Sequence, residues 1–318
     1  MSDRSVLIAG AGPIGLACAI SAKRRNLKPF VIDAGPVVNS VFRYPIGMTF
    51  FTTADRLEIG GHPLVCSGQK PTREEALKYY RGVVRAEELV VQPFVKLIAA
   101  EPVKGGVRCT VETRDGRDTI TTGRLVLATG YYDHPNRLGV PGEDLPQVSH
   151  YFDDPHRGTG QDVVVIGGKN SAAEAALELH RAGARVTLVY RGAEFKNSLK
   201  YWVKPDLENR IKAGEIAARL SSEVVRIEPH AVVIRRGGAE ESLRADRVYA
   251  LTGFHPDFDL FLRIGIALDG QTMRASVDPA TLETNVPGVH LAGSISAGRA
   301  ISEIFIENGR LDGEKIFA

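Results

Sequence analysis

Short apolar runs alternate with segments whose apolar residues recur every three or four positions, and this layout occurs twice along the chain. Val6-Leu7-Ile8-Ala9 reads as a buried strand, residues 13–25 as a helix, and Phe30-Val31-Ile32 as a second strand ending in Asp33. Val163-Val164-Val165-Ile166, a helix over about residues 172–182 that Gly183 can end, and Val186-Thr187-Leu188-Val189-Tyr190 leading to Arg191 repeat the order. Residues 72–85 predict a helix opened by a Thr-x-x-Glu capping box. Leu97-Ile98-Ala99 and the run from Val107 to Val111 predict a hairpin, and Leu125-Val126-Leu127-Ala128 a buried strand closing in Thr129-Gly130. The second half ends likewise, with hairpin strands around Val225 and Val233, then Val248-Tyr249-Ala250-Leu251 and Thr252-Gly253. Residues 39–68 show no period and read as a long loop. A last strand, Val289-His290-Leu291-Ala292, precedes Gly293-Ser294 and a helix expected over residues 299–308, ended by Gly309.

These elements predict an α/β protein with two Rossmann-like dinucleotide-binding domains. The last strand cannot form a core alone, so it is expected to return to the first sheet. That makes the first domain discontinuous, residues 1–130 with 253–318, and residues 131–252 an inserted domain.

The strand-to-helix junctions carry the chemistry. In Gly10-Ala11-Gly12-Pro13-Ile14-Gly15, Gly10 permits a tight turn, Gly12 lets a pyrophosphate approach the backbone, and Gly15 allows close helix packing. The helix N-terminus offers N–H groups to the anion, and Asp33 offers a carboxylate to a ribose diol. The second junction is Gly167-Gly168-Lys169-Asn170-Ser171-Ala172, and its second strand ends in Arg191. A guanidinium grips a 2′-phosphate where a carboxylate repels it, so the second site reads as NADPH-selective and the first as taking a nucleotide with a free ribose.

Bulk properties narrow the field. A chain of 318 residues suits two domains, and 43% hydrophobic with 25% charged residues is a globular composition. The 40 basic and 38 acidic residues nearly cancel without long blocks, so neither a nucleic-acid nor a membrane surface is expected. Met1-Ser2-Asp3-Arg4 leads directly into the first strand and no apolar run reaches membrane-span length, which makes the cytoplasm the default. Cys18, Cys66 and Cys109 are far apart, so there is no Cys-x-x-Cys pair and no local metal knuckle.

Together these residues resemble the two-dinucleotide-binding flavoproteins, in their low-molecular-weight, thioredoxin-reductase-like branch. The segments Tyr44-Pro45-Ile46-Gly47-Met48-Thr49-Phe50-Phe51-Thr52-Thr53, Leu57-Glu58-Ile59-Gly60-Gly61, Lys70-Pro71-Thr72-Arg73-Glu74-Glu75 and Ile304-Phe305-Ile306-Glu307-Asn308-Gly309 narrow the resemblance to the bacillithiol-disulfide reductases. By that resemblance the chain is an FAD-containing, NADPH-dependent homodimer. FAD would lie on Gly10, Gly12, Pro13, Ile14 and Gly15, with its ribose at Asp33, and near Asn39, Ser40, Phe51 and Thr52. Val95 would lie by the adenine, with Ala128, Thr129, Gly130, Gly293, Ser294 and the helix start at Arg299, Ala300 and Ile301 completing the site. Ser294 departs from the aspartate common at that place. NADPH would bind Gly167, Gly168, Lys169, Asn170, Ser171, Arg191, Lys196, Thr252 and Gly253.

A thioredoxin reductase carries its Cys-x-x-Cys just ahead of the second glycine turn, where this chain has Ser149-His150-Tyr151-Phe152-Asp153-Asp154-Pro155-His156. Thioredoxin reductase activity is therefore not expected. In the bacillithiol-disulfide reductases the suspected thiol directly follows the proline of the first turn, and Ile14 stands there. Cys18 is about 6 Å further along the helix by rise; it is the one thiol candidate, with core packing as the competing reading. His150 and His156 are proton-donor candidates against a surface or hinge role. Trp202, with Tyr201 and Lys204, is a candidate for shaping an acceptor or nicotinamide site. The expected function is NADPH-driven reduction of a low-molecular-weight disulfide of the bacillithiol type. A ferredoxin or quinone reductase, an NADPH oxidase and a non-catalytic nucleotide sensor are the alternatives.

Overall fold

The structure, a computed structural model, describes residues 5–196 and 199–318; the expectation attached to Met1-Ser2-Asp3-Arg4 lies outside the described residues. The chain falls into two compact units, Met1–His134 with Phe254–Ala318, and Pro135–Gly253. The first boundary lies beyond Gly130, because His134 O accepts the His255 N–H at 2.9 Å within unit 1, whereas the Asn136 N–H donates to Gly253 O within unit 2.

In unit 1, β1 (Ser5–Ala9), α1 (Pro13–Arg24) and β2 (Lys28–Asp33) form the first junction. Two short helices follow, α2 (Asn39–Phe42) and α3 (Ala54–Leu57), inside the stretch expected to be an unbroken loop. Helix α4 (Arg73–Ala86) opens at Thr72, whose hydroxyl takes the Glu75 N–H while Glu75 takes the Thr72 N–H, the capping box the spacing predicts. Then come β3 (Val91–Pro93), β4 (Lys96–Val103), β5 (Gly106–Thr113), β6 (Gly116–Thr122) and β7 (Arg124–Leu127). Unit 2 contains β8 (Val148–Ser149), β9 (Asp162–Ile166), α5 (Asn170–Arg181), β10 (Arg185–Val189), α6 (Val203–Lys212), β11 (Ala217–Arg219), β12 (Glu223–Glu228), β13 (Ala231–Arg236), β14 (Ala239–Arg244) and β15 (Arg247–Ala250). Back in unit 1 are α7 (Phe258–Ile264), β16 (Val289–Leu291), α8 (Ile306–Gly309) and α9 (Asp312–Ile316).

Each unit is built on a five-stranded parallel sheet, ordered β16-β7-β1-β2-β3 in unit 1 and β11-β10-β9-β15-β8 in unit 2. The apolar runs are continuous because both faces are covered. Ile8, Val31 and Val126 face α1, while Leu7, Ile32 and Leu125 face the antiparallel β4-β5-β6 sheet through Val107, Cys109 and Val111. Unit 2 repeats this: Val163 and Val165 pack with α5, and Val164 and Ile166 with β12-β13-β14 through Val232, Ile234 and Leu243.

Sequence reading missed the third strand of each antiparallel sheet. Strand β6 buries only Thr122 and β14 only Leu243, so neither carries the apolar alternation that signals a strand. The predicted helix over residues 299–308 is also corrected. Gly298, at φ 59°, reverses the chain, and a Cβ there would lie 2.4 Å from Thr272 O. The Arg299 N–H then donates to Thr272 O, and only isolated turns follow until Asn308 caps α8 by accepting the Phe305 N–H.

Candidate functional site

The first junction is shaped by close backbone approach. Gly10 has φ 116°, and a Cβ on it would lie 2.2 Å from Ala128 O; one on Gly15 would lie 1.9 Å from Gly10 O. Neither position admits a side chain. Gly12 differs: it caps α1, and a Cβ there would meet nothing within 4 Å, so its face is open. Pro13 begins the helix where its missing N–H leaves nothing unsatisfied.

Asp33 is turned toward this junction. Its two oxygens accept the N–H groups of Ala11 at 2.7 Å and Gly35 at 2.8 Å. Burial pushes its carboxyl up to about 6, against those two N–H bonds, which favour the charged form. A carboxylate has about four acceptor positions, so two remain for a ribose diol. Val95 donates its N–H to Asp33 O, the Asn39 amide packs on Gly35, and the Ser40 hydroxyl lies 3.9 Å from where a Cβ on Gly130 would stand. The Thr129 hydroxyl is buried with no partner among the described residues. A nucleotide fits this arrangement, with open space at Gly12 and an unsatisfied hydroxyl on the segment packed against Gly10.

Gly293 and Ser294 begin a 3-10 turn directly after β16, and both are buried. The Gly293 N–H donates to Asp312 Oδ2 at 2.7 Å; burial pushes that carboxyl up in spite of the bond. Ile14 Cδ1 fills the gap between two glycines, 2.6 Å from a Cβ placed on Gly293 and 2.7 Å from one placed on Gly309. Thr52 donates to the Glu307 carboxylate at 2.9 Å, and exposed Phe51 lies 5.0 Å from the Lys70 ammonium. Arg299, Ala300 and Ile301 form no helix start; the Arg299 and Ala300 N–H groups donate to Thr272 O and Ala297 O. Asp312 and Glu307 as positioning groups were missed, since each acts on a residue far away in sequence.

The thiols are poorly placed for chemistry. Cys18 is fully buried on α1, and burial, with Asp312 adding, pushes its thiol far up. Cys109 is buried on β5 and pushed up to about 12 by burial. The Cys66 thiol donates to Gly68 O at 2.9 Å. Thiolate character is what makes a cysteine reactive, and burial in Cys18 and Cys109 opposes it.

In unit 2, Gly167 takes the place of Gly10: φ is 147°, and a Cβ would lie 2.5 Å from Leu251 O. Lys169 caps α5 where Gly12 caps α1, so the exposed residue at this helix mouth is a cation. Gly168 stands where Ala11 does. The Tyr190 ring lies on it, with a would-be Cβ only 2.3 Å from two ring carbons. Ala172 stands in place of Gly15, Ser171 is exposed, and Asn170 Oδ1 accepts the Lys200 N–H at 2.8 Å. Arg191 and Lys196 are exposed. The Thr252 hydroxyl donates to Asn136 O at 2.5 Å beside Gly253. His150 is nearly buried, its Nδ1 3.2 Å from Ala250 O and its Nε2 3.3 Å from Glu143 Oε1. Glu143 itself accepts the Leu138 and Gly139 N–H groups, so this cluster is a packed knot, while His156 stands exposed on the surface. Among the described residues no helix is long and apolar enough to cross a membrane.

Comparison with known proteins adds to this geometry. Residues 7–293 match the family described as pyridine nucleotide-disulphide oxidoreductase. The chain is 44% identical over 319 residues to bacilliredoxin reductase Bdr of Bacillus subtilis, covering 100% of this chain and 98% of that one. It is 40% identical to the solved bacillithiol disulfide reductase Bdr of Bacillus cereus, with a TM-score of 0.96 over 99% of this chain and 97% of that one. Thioredoxin reductase of T. acidophilum, 21% identical with a TM-score of 0.76 over 99% of this chain and 97% of that one, shares the fold.

Proposed function

The chain belongs to the pyridine nucleotide-disulphide oxidoreductase family, and from that premise we propose that this oxidoreductase holds FAD in unit 1, takes NADPH in unit 2, and reduces a low-molecular-weight disulfide of the bacillithiol type. Two nucleotide junctions of unlike charge, on a chain whose whole length aligns with a bacilliredoxin reductase, carry this reading. The alternatives, a ferredoxin or quinone reductase, an oxidase and a silent nucleotide sensor, have no comparable support. The protein is expected to work as a homodimer in the cytoplasm.

The chemistry a bound flavin supplies is the passage of two electrons, received as hydride from NADPH, to an acceptor. The protein's own part is binding and orientation. The open face of Gly12 and the N–H groups opening α1 hold the pyrophosphate, and Asp33 orients the ribose. Gly293, held by Asp312, and Ser294 line the turn after β16. In unit 2, Lys169, Arg191 and Lys196 offer cations to the phosphates of NADPH. Ile14 closes the gap between Gly293 and Gly309 with an apolar group that cannot form a mixed disulfide. With Cys18 and Cys109 buried and the Cys66 thiol bonded to Gly68 O, the acceptor disulfide is reduced without covalent capture by this chain.

Anaerobic absorbance tests the reading. NADPH should bleach the flavin band, bacillithiol disulfide should restore it, and a Cys18→Ala, Cys66→Ala, Cys109→Ala protein should do the same with no bacillithiol adduct in its intact mass. A bleached flavin that bacillithiol disulfide leaves bleached would rule out the proposed acceptor.

A further inference from the structure

Unit 2 presents an aromatic pair that its core does not use. Tyr201 is 84% exposed and Trp202, the chain's single tryptophan, is 41% exposed. Their rings meet edge to face with centroids 4.7 Å apart. Just ahead of a helix, Tyr201 lies largely in water and Trp202 partly so, which forgoes some of the burial their size would otherwise gain.

The pair is nevertheless anchored. The Lys200 N–H donates to Asn170 Oδ1 at 2.8 Å, and the Lys200 ammonium donates to Glu174 at 2.5 Å while lying 5.7 Å from the Trp202 ring centroid. Lys200 O in turn accepts the N–H groups of Val203 and Lys204, which fixes the start of α6. Asn170 is the first residue of α5 and Glu174 lies one turn on. Both straps therefore hang from the helix whose N-terminus opens the second nucleotide junction.

Topology says which half of a dinucleotide meets the pair. Strand β10 flanks β9 on the side away from β15, and the chain leaves β10 through Tyr190 and Arg191 before reaching Lys200. In such a unit the pyrophosphate sits at the helix N-terminus and the adenosine half lies toward the end of that second strand. A purine has a π face that an indole or phenol ring can meet. We infer that Tyr201 and Trp202 form the base-stacking edge of the second site, and that Asn170 is the positioning residue that brings them there. The ligand class is an adenine nucleotide bearing a 2′-phosphate. This inference rests on the reading of unit 2 as the NADPH site.

Titrating the flavin-loaded protein with 2′,5′-ADP, followed by both calorimetry and tryptophan emission, tests it. Emission should change with the midpoint that calorimetry gives. Trp202→Leu should weaken 2′,5′-ADP about tenfold and Trp202→Phe by no more than about twofold, as expected for a single base-to-ring stack. Asn170→Ala should remove most of the emission change although Trp202 is still present. Calorimetric binding with silent emission, or unchanged affinity in Trp202→Leu, overturns the inference and leaves the NADPH site standing. A parent protein that binds neither NADPH nor 2′,5′-ADP overturns both.

Discussion

At the first glycine junction the face of Gly12 is open, the Thr129 hydroxyl is buried without a partner, and the terminal carboxylate of Asp33 is folded inward onto Ala11 and Gly35. At the second, Lys169 stands in place of Gly12, the Thr252 hydroxyl is bonded to Asn136 O, and Arg191 projects into solvent. The backbones of the two are alike, since Gly10 and Gly167 are both held against the carbonyl closing a neighbouring strand. The difference lies in satisfaction. The second junction bonds its threonine hydroxyl and offers exposed cations, as suits a ligand that comes and goes. Unit 1 leaves a buried donor and an open backbone face, as suits a group that stays. On the proposed function, this is a duplicated architecture fitted to a resident cofactor in one copy and an exchanging co-substrate in the other.

The harshest way to break this comparison is to substitute the shared glycines. Gly10→Ala and Gly167→Ala each force a Cβ onto a backbone oxygen at positive φ, and each should destabilise its unit by more than about 3 kcal/mol. Gly12→Ala meets no atom, so thermal denaturation should find the fold intact while the absorbance of the purified protein shows flavin lost. Equal damage from Gly10→Ala and Gly12→Ala would mean that Gly12 is structural and that the two junctions do not differ in kind.

Much of this was legible from sequence, and the exceptions have physical causes. Strands buried on both faces announce themselves as unbroken apolar runs, so β1, β7, β9 and β15 were readable to within a residue or so. Edge strands β6 and β14 were not, because solvent on one side lets Asp118 and Glu241 occupy strand positions. The glycines of the first junction could be given roles from spacing alone. Gly168 could not, since its reason is the Tyr190 ring, which returns from the end of the next strand. The misread helix over residues 299–308 has a similar origin: Gly298 is fixed by the distant Thr272, a contact no local pattern encodes.

Asp33 sharpens the comparison through pH. Its folded pKa is raised by burial to about 6, above its unfolded value of about 3.9. A raised carboxyl favours the folded state while protonated, so its contribution is fully present below about pH 4 and is lost as pH climbs through 6. In flavin-stripped protein, urea titrations should show stability falling over that window by on the order of 1–3 kcal/mol. Asp33→Asn should flatten the slope. An unchanged slope in Asp33→Asn would move its source elsewhere.

The smallest expected effect is the most discriminating, because its sign differs between the two units. Thr129→Val removes a hydroxyl that is buried and unbonded, so the flavin-stripped protein should keep its stability or gain up to about 1 kcal/mol, the desolvation of an unmatched donor being relieved. Thr252→Val removes a hydroxyl bonded to Asn136 O and should cost about 1 kcal/mol. Loading flavin should reverse the first result and leave the second alone: if Thr129 is unsatisfied because it awaits the cofactor, Thr129→Val must then lower the thermal midpoint relative to the parent and speed flavin release. Parallel melts of the stripped and loaded forms read all four values. A Thr129→Val protein that behaves identically in both would show that its hydroxyl never meets the flavin, and the contrast between a waiting junction and a completed one would lose its clearest mark.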